Sequence, residues 1–334
     1  MKRQFITLGL CGLFFMASCQ SHDSESSSAL DNPESFRQAM RDFVEDISLY
    51  GRSSDSDFIV IPQNGHELLV YDNTTSADKN YTQAIDGVGR EDLFYGYEND
   101  DEGTPTSDRE EMITYMDIAK SQDIIPLVTD YVSTTAKIDD SYAQNNAKGY
   151  LSFAADHREL DHIPSYPVHP YKVNSNDITS LGEAKNFLYL LNPTENSAFT
   201  SKSVFLDALA NTNYDVIIMD LFYDGSQDTE LSASEINSLK TKANGGKRLV
   251  IAYMSIGEAE DYRYYWKSSW SSRSPLWLDK ENPDWKGNYK VRYWSQDWQS
   301  IIYGDSDAYL DKILAASFDG VYLDIIDAYE HFED

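Results

Sequence analysis

The stretch RLVIAYMSIGEAEDYRYYW, residues 248–266, decides how the chain is read. Leu249 to Met254 form an apolar, β-rich run. It breaks at Ser255 and Gly257 into two carboxylates, Glu258 and Glu260, and then into an Arg263-bearing aromatic cluster, Tyr262 to Trp266. Short apolar runs of this kind suit the inner strands of an α/β protein, where chemistry gathers just past the carboxyl end of the strand. Two other runs have the same form: YDVIIMDLFYDG (214–225) delivers Asp220 and Asp224, and FDGVYLDIIDAYEHF (318–332) delivers Asp324 and Asp327. Three strands converge on acid.

Working outward, strand-like runs occur at 58–62, 92–97, 124–129, 150–154, 186–191, 214–220, 248–254 and 319–324. Helix-like segments lie between most of them, including 107–121, 139–148, 201–211 and 232–243. Alternation of this kind argues a parallel sheet, and its eight strands argue a (β/α)8 TIM barrel. A helix over 33–50 comes first, with Phe36, Met40, Phe43, Val44 and Ile47 at helical spacing, Asn32 as cap and Pro33 as first helical residue. No helical pattern of comparable length follows the run at 319–324. The helix at 33–50 is therefore expected to cover that strand.

Residues 1–18 read as a leader. Lys2 and Arg3 precede an apolar segment, Phe5 to Met16, too short to span a bilayer comfortably, and Met16-Ala17-Ser18-Cys19 resembles a bacterial lipoprotein signal. Cleavage would leave Cys19 lipidated, on a polar, Ser-rich tether over 19–31, with the folded domain at 32–334. The expected location is the bacterial cell envelope, lipid-anchored at the outer membrane or cell surface. The other cysteine, Cys11, lies within the leader, so neither a disulfide nor a cysteine metal site is expected.

The formal net charge is −29, and removing the leader takes away Lys2 and Arg3 but no acid. Such a field excludes nucleic acid as a partner and draws in cations. Aromatic residues make up 13% of the chain, 24 of them Tyr, and many lie beside the strand ends, where rings can stack on sugar faces. Other chemistries lack their motifs. GVGRED (87–92) misses the third glycine of a dinucleotide loop, no G-x-S-x-G elbow occurs, and the six His are scattered, with His157 and His162 in one loop. No metal and no cofactor is expected.

At this point the segments VIIMDLFYDGS, AYMSIGEAEDYRYYW, WLDKENPDWKGNYKVRYW (277–294) and FDGVYLDIIDAYEHF resemble glycoside hydrolase family 114, the endo-α-1,4-polygalactosaminidase-like proteins. So do IVIPQNGHELL (59–69), IDGVGREDLFY (85–95) and PLVTDYV (126–132). In the family's usual order the NFLYLL-like strand comes first, and the PQNG and GREDLFY segments follow YLDIIDAYE. Here that latter part stands at the front, which implies a circularly permuted barrel.

The resemblance implies hydrolysis of an amino-sugar polysaccharide by a carboxylate pair, one acid and one nucleophile or base. Asp220 and Glu258 end adjacent predicted strands and are the pair to which the family points. Asp324 is a third member. Glu258 is expected to be the acid, because Tyr262, Tyr264, Tyr265 and Trp266 follow it, and Asp220 to remain ionised. Tyr253, Arg263, Asn64, Arg90, Glu91 and Asp130 lie near strand ends as substrate-binding candidates, with Arg263 also suited to orient a carboxylate. Tyr223, Trp266 and Trp294 are candidate sugar platforms. A monomer acting on a carbohydrate polymer is expected, a cationic polymer being the kind that the acidic charge would draw in. The competing reading is a surface lipoprotein that binds glycan on the same barrel without cutting it.

Overall fold

The computed structural model describes residues 31–333. The expected leader, Cys19 and most of the tether lie outside the described residues. The elements run α1 (Phe36–Ser54), β1 (Ile59–Pro62), α2 (Lys79–Ala84), β2 (Gly87–Glu91), α3 (Thr106–Ser121), β3 (Ile125–Tyr131), α4 (Thr135–Lys148) and β4 (Leu151–Ala155). Then follow β5 (Phe187–Leu190), α5 (Lys202–Ala210), β6 (Val216–Met219), α6 (Ala233–Leu239), β7 (Leu249–Ser255), β8 (Glu258–Glu260), β9 (Leu278–Glu281) and β10 (Asn288–Val291). The chain continues with α7 (Gln296–Ile302), α8 (Tyr309–Ala315), β11 (Gly320–Asp324) and a short helical turn, α9 (Glu330–Glu333).

The long apolar runs become parallel strands, β1, β5, β6, β7 and β11 being buried along nearly their whole length. Five of them form one parallel sheet in the order β1-β11-β7-β6-β5, and three form a second in the order β2-β3-β4. The two sheets are joined where a parallel bridge pairs Gln63 with Gly89 and the Asp86 amide donates to the Val60 carbonyl at 2.9 Å. At the opposite seam, among the described residues, no strand ladder links β4 to β5. Ring packing holds that seam instead, Phe153 lying 5.8 Å from Phe187. The fold is therefore α/β with eight parallel strands in two sheets, and the fully hydrogen-bonded cylinder expected from the strand count is not formed. A small antiparallel sheet, β8-β10-β9, sits beyond β7.

Seven of the eight expected strands are present within a residue or two. The exception is 92–97, DLFYGY. There the strand is Gly87–Glu91, immediately upstream, and 92–97 is a loop. The buried Asp130 carboxylate is the cause: it accepts the amides of Phe94 at 2.8 Å and Tyr95 at 3.3 Å, which an extended strand would have given to a neighbour. Strand β2 needs its glycine because a Cβ on Gly89 would sit 2.0 Å from the Tyr322 hydroxyl of β11, in the space between the sheets. Propensity disfavours glycine in a strand, and here the close approach of a ring overrides it.

Helix α1 starts three residues later than expected. Ser35, not Asn32, is the cap, its hydroxyl accepting the Gln38 amide. The helix lies between α8 and α2, with the Tyr50 hydroxyl donating to Asp311 at 2.7 Å and the Ser48 hydroxyl donating to the Ala84 carbonyl at 2.6 Å. Its first turn meets the end of the chain: Arg37 pairs with Glu333 at 3.0 Å, and the Phe36 ring stacks on Phe332. No helix among the described residues is long and apolar enough to cross a membrane.

Gly89→Ala should destabilise the protein by about 1–3 kcal/mol through overpacking against Tyr322. Urea unfolding checks this, and an unchanged midpoint would mean that the sheets do not meet there.

Candidate active site

A cavity of about 660 Å³ opens at the carboxyl ends of the parallel strands. Its wall collects one or two residues from nearly every strand end: Gln63 and Asn64 after β1, Glu91 of β2, Tyr131 of β3, Tyr189 of β5, Asp220 after β6, Tyr253 of β7 and Asp324 of β11. The small antiparallel sheet adds Glu258, Glu260 and Asn288, and the loop between β9 and β10 adds Trp285 and Lys286.

Asp220 and Glu258 line this one cavity, but they are held differently. Asp220 is clamped by Arg263, whose two terminal nitrogens reach it at 2.7 and 3.0 Å, and by the Phe222 amide at 2.8 Å. Burial pushes the Asp220 carboxyl up, and the guanidinium opposes that rise. Glu258 begins β8, three residues past β7, and the turn between needs Gly257, because a Cβ there would lie 2.0 Å from the Ile325 carbonyl oxygen. One Glu258 oxygen accepts from Asn282 at 2.8 Å and pairs with Lys290 at 3.0 Å. The other oxygen is buried and has no protein partner. Glu258 thus lines the cavity anchored through one oxygen, while its other oxygen is closed off from solvent.

The aromatic bulk expected to crowd Glu258 is placed otherwise. Tyr264 and Tyr265 turn away to pack on Tyr309 and Trp298, and Trp266 packs on Tyr289 at 4.8 Å, whereas the Lys290 ammonium stands beside the carboxylate. Asp324 lies at the end of β11, partly exposed to the cavity. Burial pushes its carboxyl up to about 7, the charge of Glu91 adds to the rise, and a 2.7 Å hydrogen bond from the Tyr253 hydroxyl opposes it. Asp327 is likewise raised to about 7, by burial and then by Glu330.

The supporting residues divide. Tyr253, Asn64 and Glu91 face the cavity. Glu91 accepts from Gln63 at 2.6 Å, from Asn64 at 3.1 Å and from the Tyr131 hydroxyl. Arg90 faces instead a neighbouring cavity of about 380 Å³, which shares Asn64, Glu91 and Asp327 with the first and also contains Glu67, Asp108 and Glu111. Arg263 borders the cavity, but its guanidinium is taken up by Asp220 and Glu260 and flanked by the Phe222, Tyr262 and Tyr309 rings, as suits an orienting residue. Four other expected residues are placed away from the cavity. Asp130 is fully buried, its oxygens taken by the loop amides, Ser141 at 2.6 Å and Asn145 at 3.0 Å. Tyr223 bonds the Phe199 carbonyl and packs on Phe205. Neither Trp266 nor Trp294 lines the cavity; Trp294 packs between Phe36 and Phe332 under α1.

The rim aromatics are Tyr262, 48% exposed, and Trp285, 60% exposed. Trp285 stands in the turn-forming run NPDWKG between β9 and β10. A large ring amid Pro, Asp and Gly was the signal that could have singled it out.

Fold and site together define an α/β protein of strand–helix units with a carboxylate-lined cavity at its strand ends. Within it, residues 185–334 match the model of glycoside-hydrolase family GH114, a family of (β/α)8 barrels, as the sequence motifs implied. The match spans β5 to the end of the chain and so contains Asp220, Glu258 and Asp324. An uncharacterized protein of Methanocaldococcus jannaschii is 40% identical over 159 residues, 48% of this chain and 42% of the relative. Uncharacterized proteins of Thermotoga maritima (40% over 124 residues, 37% of this chain and 36% of the relative) and Deinococcus radiodurans (41% over 128, 38% of each) are similar over shorter spans. This chain covers less than half the length of each of these relatives.

Replacing Arg263 with Ala would leave Asp220 and Glu260 buried and unpaired, and should cost about 3–5 kcal/mol. Thermal unfolding at neutral pH measures it. A loss within experimental error would show that these carboxylates do not depend on the guanidinium.

Proposed function

We propose that the chain is a glycoside hydrolase that cuts an amino-sugar polysaccharide, polygalactosamine-like, within its length. The observation that carries this is the sorting of carboxyl groups in one cavity: Glu258 is ion-paired with Lys290, and burial raises the Asp324 carboxyl to about 7. Two carboxyl groups in opposite charge states on either side of a glycosidic bond are what its hydrolysis requires. Asp324 donates the proton to the leaving oxygen, Glu258 acts as nucleophile or base, and Asp220, fixed by Arg263, shapes the charge around the sugar. Trp285 and Tyr262 offer ring faces at the rim. The neighbouring acidic cavity supports a cationic rather than an anionic polymer.

Several wider features belong to the same proposal. The chain is a circularly permuted (β/α)8 barrel, which fits a family match beginning at β5 and a helix α1 lodged between α8 and α2. It works as a monomer, anchored by lipid at Cys19 to the cell envelope.

Release of reducing ends from purified amino-sugar polymers, measured with the full chain, tests the activity. Glu258→Gln, Asp220→Asn and Asp324→Asn should each retain the fold and lose activity by a factor of hundreds or more, as for removal of an acid, a base or a nucleophile. Activity needs Asp324 protonated, so the rate should fall as pH rises through about 7. A chain that binds polymer without releasing ends would sustain the binding reading. A Glu258→Gln rate equal to wild type would remove that residue from the chemistry.

A further inference from the structure

In the sequence, His157 and His162 in one loop are only a weak hint of a metal site. The structure supplies the rest of the set. The segment Asp156-His157-Arg158-Glu159-Leu160-Asp161-His162 follows β4 directly. Leu160 adopts a left-handed conformation, φ 51°, and its amide donates back to the His157 carbonyl at 3.2 Å, so the two imidazoles come together with ring centroids 4.0 Å apart. Both direct Nδ1 at the same oxygen: Asp161 Oδ1 lies 3.1 Å from His157 and 2.6 Å from His162. One donor atom from each of the three residues falls within 4.8 Å of the others. On its far side, His162 Nε2 meets Asp156 Oδ1 at 3.0 Å.

We propose that His157, Asp161 and His162 bind a divalent transition metal, with zinc the best fit, and that Asp156 orients the His162 ring from behind. Two imidazole nitrogens and one carboxylate oxygen suit zinc, whose ligands in tetrahedral geometry stand roughly 3.3 Å apart for bonds of about 2.0 Å. Reaching that spacing requires the Asp161 oxygen to draw back from His162, which it now meets at 2.6 Å. A carboxylate on the outer nitrogen of a ligating histidine fixes its tautomer and orientation, and Asp156 already stands there. With three protein ligands and His157 56% exposed, the fourth position is open to water.

The site has a structural consequence. The Leu160 carbonyl accepts the amides of Leu191 at 2.8 Å and Asn192 at 3.2 Å, just past β5. These bonds tie the β4 loop to β5 at the seam that lacks a strand ladder. Arg158, between the ligands, reaches Asp92 at 3.0 Å and Asp100 at 2.7 Å, and Arg158, Glu159 and Leu160 all line the main cavity. A metal gripping both ends of this loop would clip the seam and hold that part of the cavity wall in place. The proposal stands whether or not the chain cleaves glycan.

The test uses the untagged full chain, stripped with chelator, titrated with zinc by calorimetry and with cobalt by visible absorption. One zinc should bind per chain, cobalt should give the intense visible bands of a four-coordinate site, and the melting temperature should rise by a few degrees on zinc addition. His157→Ala and His162→Ala should each weaken zinc at least 100-fold, and Asp156→Asn by about 10–100-fold. His169→Ala, at an exposed position outside the cluster, should change nothing. Absence of zinc binding at millimolar metal would overturn the proposal, as would equal affinity in His157→Ala, a half-exposed position whose replacement leaves the fold intact.

Discussion

Arg263 is the residue on which the site depends. It is 4% exposed, yet it carries a full charge between two carboxylates, Asp220 from the end of β6 and Glu260 from β8. Taking three charges out of water costs several kcal/mol per ion, and the cost is met only if the geometry is close and every remaining proton is bonded. Three aromatic faces, Phe222, Tyr262 and Tyr309, surround the guanidinium and exclude water. The pair locks the loop after β6 to the small sheet beyond β7. In that frame Glu258, two residues before Glu260 in the same short strand, is presented to the cavity.

The same economy of cations explains the divided behaviour of the acids. Arg263 and Lys290 serve Asp220, Glu260 and Glu258, and among the described residues no cation pairs with Asp324, which instead meets Tyr253 and the neighbouring charge of Glu91. A buried carboxyl without a cation relieves its desolvation by keeping its proton. The cations come from the small antiparallel sheet and the segment just past β8, Lys290 and Arg263, and they pair with Glu258, Asp220 and Glu260.

Much of this was legible in the residues. Runs such as VIIM and LVIAYMS could be little other than buried parallel strands, and acids at their carboxyl ends pointed to the right cavity. Strand β2 was not legible, since GVGRE looks poor for a strand and DLFYGY looks good. Only the contact between Gly89 and Tyr322 and the capture of the loop amides by Asp130 reverse that preference, and both join residues far apart in the chain. The surroundings of Glu258 were missed for the same reason. Sequence neighbours suggested that aromatic rings crowd Glu258, whereas Lys290, 32 residues away, stands next to it. Trp266 and Trp294 had the right chemistry for a sugar platform, but their rings are used up in packing; Trp285, in a turn, remains exposed.

The central claim is that the Asp324 carboxyl keeps its proton to near neutral pH because it is largely desolvated and, among the described residues, meets no cation. Titration of the Asp side-chain carboxyl carbons by NMR, with Asp324→Asn to identify the resonance, tests it directly. The account predicts an Asp324 midpoint of about 7. A midpoint in the ordinary carboxylate range, close to 4, would contradict it.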